Sequence, residues 1–157
     1  MAEMNALVAD ICAGIKTDVA INLWCSQTYD ATPTVRENCD TRTDPGESDC
    51  PLVVVYPDIK KTGLDNSVKV HGVVISCMVW DETTQETSDG VLRYMAGPRA
   101  EELRILAMAA ARLSLPSDIH IQEIETVYLP LDDFPLVTVI MGLTLTQEKL
   151  IGQNPYE

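Results

Sequence analysis

The stretch VKVHGVVISCMVW, from Val68 to Trp80, decides the fold because it is a long β-rich run with apolar side chains on both parities. It predicts a long strand, and beyond Gly72 both of its faces are expected to be covered. Lys69 and His71 share one parity near the start of the run. We predict that, near the start of the strand, the face that carries Lys69 and His71 is open to water.

Four other runs predict further strands. LVVVY, from Leu52 to Tyr56, is apolar throughout and bounded by prolines, which predicts a short strand buried on both faces. Ile119 to Leu129 and Leu136 to Thr146 alternate or run apolar, and the linker PLDDFP between them predicts a hairpin. A weak strand or turn is predicted at Val91 to Met95.

Two amphipathic stretches predict helices. From Met4 to Lys16, apolar residues recur with the spacing of one helix face. Gly97 and Pro98 introduce the second helix, RAEELRILAMAAARL, because proline is preorganised for the first helical turn. Its apolar stripe consists of Leu103, Leu106, Ala107, Ala110 and Leu113. The segment Val19 to Cys25 either extends the first helix or begins a short strand, and its β-branched residues favour the strand.

Polar segments separate these elements. Ser26 to Cys50 has few large apolar residues and predicts a long loop, either a solvated insertion or a segment that a partner orders. A polar turn contains Gly63 and Asn66. Asp81 to Gly90 has four acidic residues and no basic residue, which excludes it from the core. A moderately polar tail follows from Glu148.

The order of these elements predicts one α+β domain over residues 1–157. Two main helices and five strands follow one another as α-β-β-β-α-β-β, with no internal repeat and no linker rich in glycine and serine. This order fits a mixed or antiparallel sheet with the helices packed on one face. Since aromatic residues make up only 5% of the chain, we expect a mainly aliphatic core.

The charge of the chain argues against two classes of partner. Eleven basic residues stand against 24 acidic ones, a net charge of −13. A surface this negative repels phosphate backbones and anionic lipid headgroups, so we predict no direct contact with nucleic acid or membrane. No apolar run approaches the ~20 residues that span a bilayer, and the start of the chain lacks the pattern of a signal peptide. We therefore expect a cytosolic protein.

Cysteine and histidine usage predicts neither disulfides nor a metal site. The number of cysteines is odd, which argues against a complete disulfide framework, and cytosolic cysteines normally remain thiols. No two of them form a CxxC pair, and the chain has two histidines, so a structural zinc site is not expected. The five cysteines are Cys12, Cys25, Cys39, Cys50 and Cys77.

A search for catalytic patterns indicates that the protein is not an enzyme and needs no cofactor. The glycine-rich nucleotide loops, HExxH and GxSxG are all absent from the sequence. Asp132 and Asp133 are adjacent carboxylates in a predicted turn, where their side chains diverge. Cys77 and His71 are too far apart along one strand to act as nucleophile and base. His120 is predicted to be a surface residue.

The succession of elements resembles the tail-terminator proteins of long-tailed phages with non-contractile tails. The resemblance starts at the helix MNALVADICAGI and continues in the strand CPLVVVYP and in VKVHGVVISCMVWDE, a long strand that leads into an acidic loop. The second helix and the closing pair IHIQEIETVYLP and FPLVTVIMGLTLTQE complete it. It spans most of the chain and is a match of layout and residue character.

The resemblance implies a mechanical function. Proteins of that family are small α/β proteins that form a hexameric ring on the last ring of tail-tube protein, stop further polymerisation and present a surface to the head connector. The implied partners are further copies of the chain, the major tail tube protein and the head–tail connector protein. The implied location is the head-proximal end of the virion tail, after assembly in the host cytoplasm.

Two sets of residues are candidates for these contacts. A closed ring requires two different patches that meet head to tail. The ring candidates lie on the long strand and the second helix: Val68, Val70, Trp80, Ala107 and Ala111. The alternative is that these residues are buried within one subunit. The candidates for tube contact are acidic: Asp81, Glu82, Glu86, Asp89, Asp132 and Asp133.

Other functions remain open at this point. A neck or head–tail completion protein would share most of these features. A carboxylate-based metal-dependent hydrolase would need several acids to converge in one cleft. An adaptor that binds a peptide at a sheet edge would be a stable monomer with an unpaired strand.

Overall fold

The computed structural model describes residues 2–40, 42–61, 68–129 and 133–148. Its helices are α1 (Ala2–Thr17), α2 (Val19–Tyr29) and α3 (Ala96–Ser114). Its strands are β1 (Thr34–Glu37), β2 (Leu52–Lys61), β3 (Val68–Trp80), β4 (Thr84–Glu86), β5 (Leu92–Tyr94), β6 (Ile119–Tyr128) and β7 (Leu136–Glu148). The predicted turn at Gly63 and Asn66, Asp132 in the second hairpin and the tail after Glu148 lie outside the described residues.

β3 lies at the centre of a five-stranded sheet with the order β1-β2-β3-β7-β6. It pairs with β7 along its whole length, from Val68 opposite Glu148 to Trp80 opposite Leu136. β1 is parallel to β2, and the other pairs in this sheet are antiparallel. β4 and β5 form a separate antiparallel hairpin. The predicted α+β class, with a mixed sheet, is confirmed.

The helices cover one face of the sheet, which we call the inner face. α1 contributes Leu7, Ile11 and Ile15 to the core, all nearly or completely buried. Full burial of an aliphatic side chain of this size contributes about 1.5–3 kcal/mol to folding. The buried apolar side chains of the inner face come from four strands: Val53, Val55, Val73, Ile75, Cys77, Val79, Ile119, Val137, Val139, Met141, Leu143 and Leu145.

α3 follows the predicted stripe except at its end. Leu103, Ala107 and Ala110 are buried, but Leu113 is 86% exposed. Ala110 and Ala111 are the last buried residues of α3, and Leu113 lies beyond them in the final turn of the helix, which ends at Ser114. The prediction that Leu113 belongs to the core stripe was therefore wrong.

Val19 to Tyr29 is a helix, so the strand that we predicted at Val19 to Cys25 was wrong. Asp18 caps the start of α2, because its side chain accepts a hydrogen bond of 2.9 Å from the backbone N–H of Ile21. Ile21 and Cys25 are buried one helical turn apart. The cap and this spacing outweigh the strand preference of the β-branched residues.

The segment Ser26 to Cys50 is only partly a loop, contrary to the prediction. Its first residues complete α2, and Thr34 to Glu37 form β1, which extends the sheet beside β2. Arg36 in β1 forms an ion pair of 2.7 Å with Asp49. The residues between them line a cavity with Leu52 and other residues of the sheet, so this segment covers part of the second face.

The second face of the sheet, which we call the outer face, is not covered by the helices. On β3 this face carries the even-numbered residues, among them Val70 and Val74, whose side chains are half-buried. His71 lies on the inner face and is completely buried, so the predicted opening to water at His71 was wrong. Beyond Gly72 the inner parity is buried as predicted, whereas on the outer parity Ser76 is buried but Val74, Met78 and Trp80 are half-buried.

Gly72 marks a close approach between β3 and β2. A Cβ atom at this position would lie 2.9 Å from the backbone nitrogen of Ile59 and 3.3 Å from its carbonyl oxygen. The register of β2 shifts at this point, between Pro57 and Lys60. A side chain at residue 72 would therefore push against backbone that is already irregular.

We expect Gly72→Ala to lower the free energy of unfolding by about 1–3 kcal/mol, because β2 must move to admit the methyl group. Gly142→Ala is the matched control, since its Cβ would meet the nearest atom, the carbonyl oxygen of Glu125, at 3.9 Å. Urea unfolding of both variants measures the difference. Equal stability of the two variants would show that the close approach at Gly72 does not constrain the sheet.

Candidate interaction surfaces

The outer face carries apolar side chains that the described part of the chain leaves partly uncovered. Open faces of antiparallel sheets normally carry polar side chains. This face instead carries many aliphatic ones, and Val127 on β6 is 45% exposed. Its residues include Val68, Val70, Val74, Ser76, Met78 and Trp80 of β3, Thr138, Ile140 and Thr144 of β7, and Val127 of β6, with the exposed Glu123 and Glu125 of β6 beside them.

The structure divides the predicted ring residues into two groups. Val68, Val70 and Trp80 are half-buried on the outer face, the first two at the start of β3 and the last at its end. Ala107 and Ala111 are completely buried in the core. They allow α3 to pack closely on the inner face and α1, so they are not available to a second subunit, contrary to the prediction.

The acidic residues near the β4–β5 hairpin are mostly at the surface. Glu82, Glu86 and Asp89 are exposed, and Glu86 pairs with Leu92 across the hairpin. Asp133 is exposed at the neighbouring β6–β7 connection. These four side chains are free to meet a partner, whereas Asp132 lies outside the described residues.

Asp81 is an internal anchor and not a surface contact, contrary to the prediction. Its side chain is 2% exposed. One carboxylate oxygen accepts hydrogen bonds from the Tyr29 hydroxyl, at 2.8 Å, and from the Arg99 guanidinium, and the other accepts from the backbone N–H of Thr83, at 2.8 Å. The Arg99 guanidinium also lies 5.7 Å from the centre of the Tyr29 ring. Asp81 thus ties the end of β3 to α2 and α3.

The hydrogen bonds of Asp81 control its protonation. Burial alone would raise the pKa of this carboxyl, but the donors Thr83, Arg99 and Tyr29 outweigh burial and hold the pKa at about 2. Burial and the same hydrogen bond raise the pKa of Tyr29. The carboxylate and the phenol therefore keep these protonation states at all ordinary pH values.

An apolar pocket of about 260 Å3 lies where the hairpin meets the start of α3. The rings of Tyr94 and Phe134 form one side of it, edge to face with centres 5.4 Å apart. These two side chains are 52% and 40% exposed. Ala96, Gly97 and Val137 complete the lining.

A polar cluster lies at the opposite end of the inner face. Glu3 in α1 is 3.5 Å from the Lys60 ammonium and 3.6 Å from that of Lys69. Burial opposes ionisation of Glu3, but Lys69, His71 and Lys60 together lower its pKa. The buried His71 has Nε2 3.4 Å from Gln147 Oε1, and its Nδ1 has no hydrogen-bond partner among the described residues.

The buried thiols are poor nucleophiles. Burial raises the pKa of Cys12, Cys25 and Cys50 to about 11 and that of Cys77 to about 12. These four side chains are therefore protonated at neutral pH. Among the described residues, no three His, Cys, Asp or Glu side chains are grouped so that they could hold a metal ion. In the same part of the chain, no helix is long and apolar enough to cross a membrane.

Sequence reasoning missed the pocket and overlooked Leu113 as a surface residue. Tyr94 and Phe134 are far apart in the sequence, and each follows a polar segment. The one available signal was the aromatic residues beside acidic stretches in a chain with few aromatics. Folding brings them together because the β4–β5 hairpin and the β6–β7 connection lie at the same end of the sheet.

No protein-family model matches the chain, and no curated protein matches it either. Function is therefore inferred from the surfaces described above.

Proposed function

We propose that this protein is a structural component of a phage or prophage tail, where it forms a ring on the tail tube, stops polymerisation of the tube and provides the head-joining surface. It acts without catalysis or a cofactor. Its partners are further copies of itself in a homohexameric ring, the major tail tube protein and the head–tail connector protein. It assembles in the host cytoplasm and remains at the head-proximal end of the virion tail.

The outer face is the observation that carries this proposal. Helices cover one side of the sheet, while aliphatic side chains of β3, β7 and β6 remain partly exposed on the other side. Apolar surface of this kind is stabilised when another protein covers it. The resemblance in element order to tail terminators is the reason why we propose a tail-tube ring as the assembly that covers this face.

The remaining ring candidates suit a head-to-tail contact. Val68 and Val70 lie at the start of β3, and Trp80 lies at its end, about 40 Å away at the rise of a strand. All three are on the outer face. Two different patches at opposite ends of a subunit are what a closed ring requires, since the start of one subunit then meets the end of the next.

The exposed acids near the hairpin are proposed to contact the tube. We expect the double variant Glu82→Lys/Glu86→Lys to lose tube capping, because reversed charges repel the neutral or basic tube surface that these acids would meet. The double variant Asp10→Lys/Glu37→Lys, at exposed positions on α1 and β1, is the control because it adds the same positive charge. Tail length measured in a complementation assay reports capping.

The fold should survive these substitutions. Exposed positions normally change the free energy of unfolding by less than about 0.5 kcal/mol, so thermal unfolding of the double variant should match that of the control. Full capping by the charge-reversed double variant would remove these acids from the tube contact.

No described strand pairs with the outer edge of β6, which favours a second candidate function, an adaptor that binds an extended peptide. β6 is the last strand in the sheet order, and a groove of about 620 Å3 lies between it and the end of α3. Arg112, Leu115 and Ile121 are among the residues that line it. A peptide could add a strand at this edge through main-chain hydrogen bonds.

Light scattering separates the two functions. The ring predicts a particle of six times the subunit mass of 17.3 kDa, either alone at high concentration or after addition of tail tubes. The adaptor predicts a monomer under all of these conditions. A chain that stays monomeric on tubes would therefore contradict the ring.

A further inference from the structure

The ends of α3 carry two complementary features. Leu113 projects from the end of the helix, and the apolar pocket of Tyr94 and Phe134 adjoins its start at Gly97. Gly97 and Leu113 are about 24 Å apart at the rise of an α-helix. The two features are therefore on different ends of the subunit and cannot meet within one copy of the chain.

Leu113 is a projecting apolar side chain with a neighbouring cation. It is 86% exposed, the highest value among the large apolar residues described. Arg112 beside it is exposed and forms no ion pair with the described residues. This end of α3 lies near the start of β3, because Leu115 and Ile119 line one groove and Ile119 is joined through β7 to Lys69.

The pocket is apolar inside, and an exposed acidic residue precedes one of its lining residues in the chain. Its volume of about 260 Å3 has room for a leucine side chain. A Cβ atom at Gly97 would meet no atom within 4 Å, so the space above the helix start is open. Asp133 is exposed next to Phe134 in the chain. Val137 pairs with Val79, the last residue but one of β3, which places the pocket near the end of β3.

We infer that Leu113 of one copy inserts into the pocket of the next copy and that this contact joins neighbouring subunits of the ring. The inference rests on the proposed function, for which it supplies the subunit contact. Copies with a net charge of −13 repel one another. They can therefore associate only where apolar or opposite-charge groups meet, and Leu113 with Arg112 facing the pocket with Asp133 offers both.

The orientation of the contact follows from the positions of its halves. The leucine lies near the start of β3, with Val68 and Val70, and the pocket lies near its end, with Trp80. The contact therefore runs in the same direction as the one proposed for the outer face. A contact between two different patches can be repeated from copy to copy until the ring closes.

Two variants test the contact without touching the core. Leu113→Asp removes the projecting side chain, and Gly97→Leu fills the pocket. Each should raise the subunit concentration at which half of the chain is assembled at least about tenfold, since both act at the centre of the contact. Leu23→Asp is the matched control, because Leu23 in α2 is also exposed, at 54%, and lies outside both features.

Mixing the two variants gives the sharpest result. Each alone should be monomeric at concentrations where the wild-type chain forms rings. An equimolar mixture should form dimers, because one partner keeps its pocket and the other keeps its leucine, but no ring should close. Analytical ultracentrifugation distinguishes monomer, dimer and ring.

The outcomes separate this inference from the proposed function. If both variants form rings as readily as the wild type, the inference is wrong and the ring must use another contact. If the wild type forms a closed dimer or stays monomeric in the presence of tubes, both the inference and the ring are wrong. A mixture that stays monomeric would also overturn the inference.

Discussion

Replacing Asp81 with asparagine is expected to lower the free energy of unfolding by about 2–4 kcal/mol. Asparagine keeps the shape of the side chain but removes the charge that pairs with Arg99, and it has one acceptor oxygen where the carboxylate uses two. The guanidinium is then left without its counter-ion in a site that is largely closed to water. Asp10→Asn, an exposed change on α1, should cost less than about 0.5 kcal/mol and controls for the lost charge.

The difference in unfolding free energy between the wild type and Asp81→Asn should become smaller as the pH falls. Asp81 has a pKa of about 2 in the folded chain, below its ordinary value of 3.8. A lowered pKa means that the carboxylate stabilises the fold above about pH 4, and that this stabilisation, about 2 kcal/mol, is lost as the pH falls towards 2. The difference between the wild type and Asp81→Asn should therefore narrow over that range.

Urea unfolding at pH 7 and at pH 2.5 measures both expectations. A variant as stable as the wild type at pH 7, or a difference that stays constant as the pH falls, would show that Asp81 does not anchor α2 and α3 to the end of β3.

Val70→Lys is expected to abolish ring assembly while leaving the subunit folded. Val70 is half-buried on the outer face beside Glu123 and Glu125, and a subunit contact would have to desolvate the new ammonium group and admit its longer side chain. The substitution should weaken each subunit contact by about 2 kcal/mol, which lowers the association constant of that contact about thirtyfold. The ring carries this cost at each of its contacts, so the effect on assembly is multiplied.

The added charge cannot itself explain such a loss. A lysine reduces the net charge of −13 and so weakens the repulsion between copies. Val19→Lys adds the same charge at a valine that is 80% exposed in α2, on the helical side. This control should assemble like the wild type. Light scattering that finds Val70→Lys and Val19→Lys equally assembled would exclude the outer face near Val70 from the ring contact.

The strands β2, β3, β5, β6 and β7 and the helices α1 and α3 could be predicted because their patterns are local. β3 was identified from two apolar parities, and the pair β6 and β7 from two runs with a proline-rich linker. The periodic stripe of α1 also needed no tertiary information. What the pattern of β3 could not show was which parity faces the helices, so the burial of His71 was missed.

α2 and β1 could not be predicted for different reasons. In α2, the β-branched Val19 and Ile21 favoured a strand, but the cap at Asp18 and packing of Ile21 against the core decided for a helix. β1 pairs with β2 through backbone hydrogen bonds, which require no apolar pattern in Thr34 to Glu37. The scarcity of apolar residues between Ser26 and Cys50 therefore did not exclude regular secondary structure in this segment.

The surfaces were harder to predict than the fold because exposure depends on what packs nearby. The small side chains of Ala107 and Ala111 suit an interface, but the same property lets α3 lie close to its own sheet. Asp81 belongs to an acidic run, yet it folds inward onto Arg99 and Tyr29. Leu113 fits the spacing of a core stripe, but α3 turns it away from the core.

The length of tails assembled with and without this protein tests the central claim most directly. If the proposal is right, electron microscopy of tails from the phage or prophage that would then encode the chain should show one uniform length when the protein is present. Without it, tubes should extend to variable and greater lengths, and addition of the purified protein should restore the uniform length. Tails of normal length in its absence would contradict the proposal that it terminates the tube, and a neck protein would then account better for its surfaces.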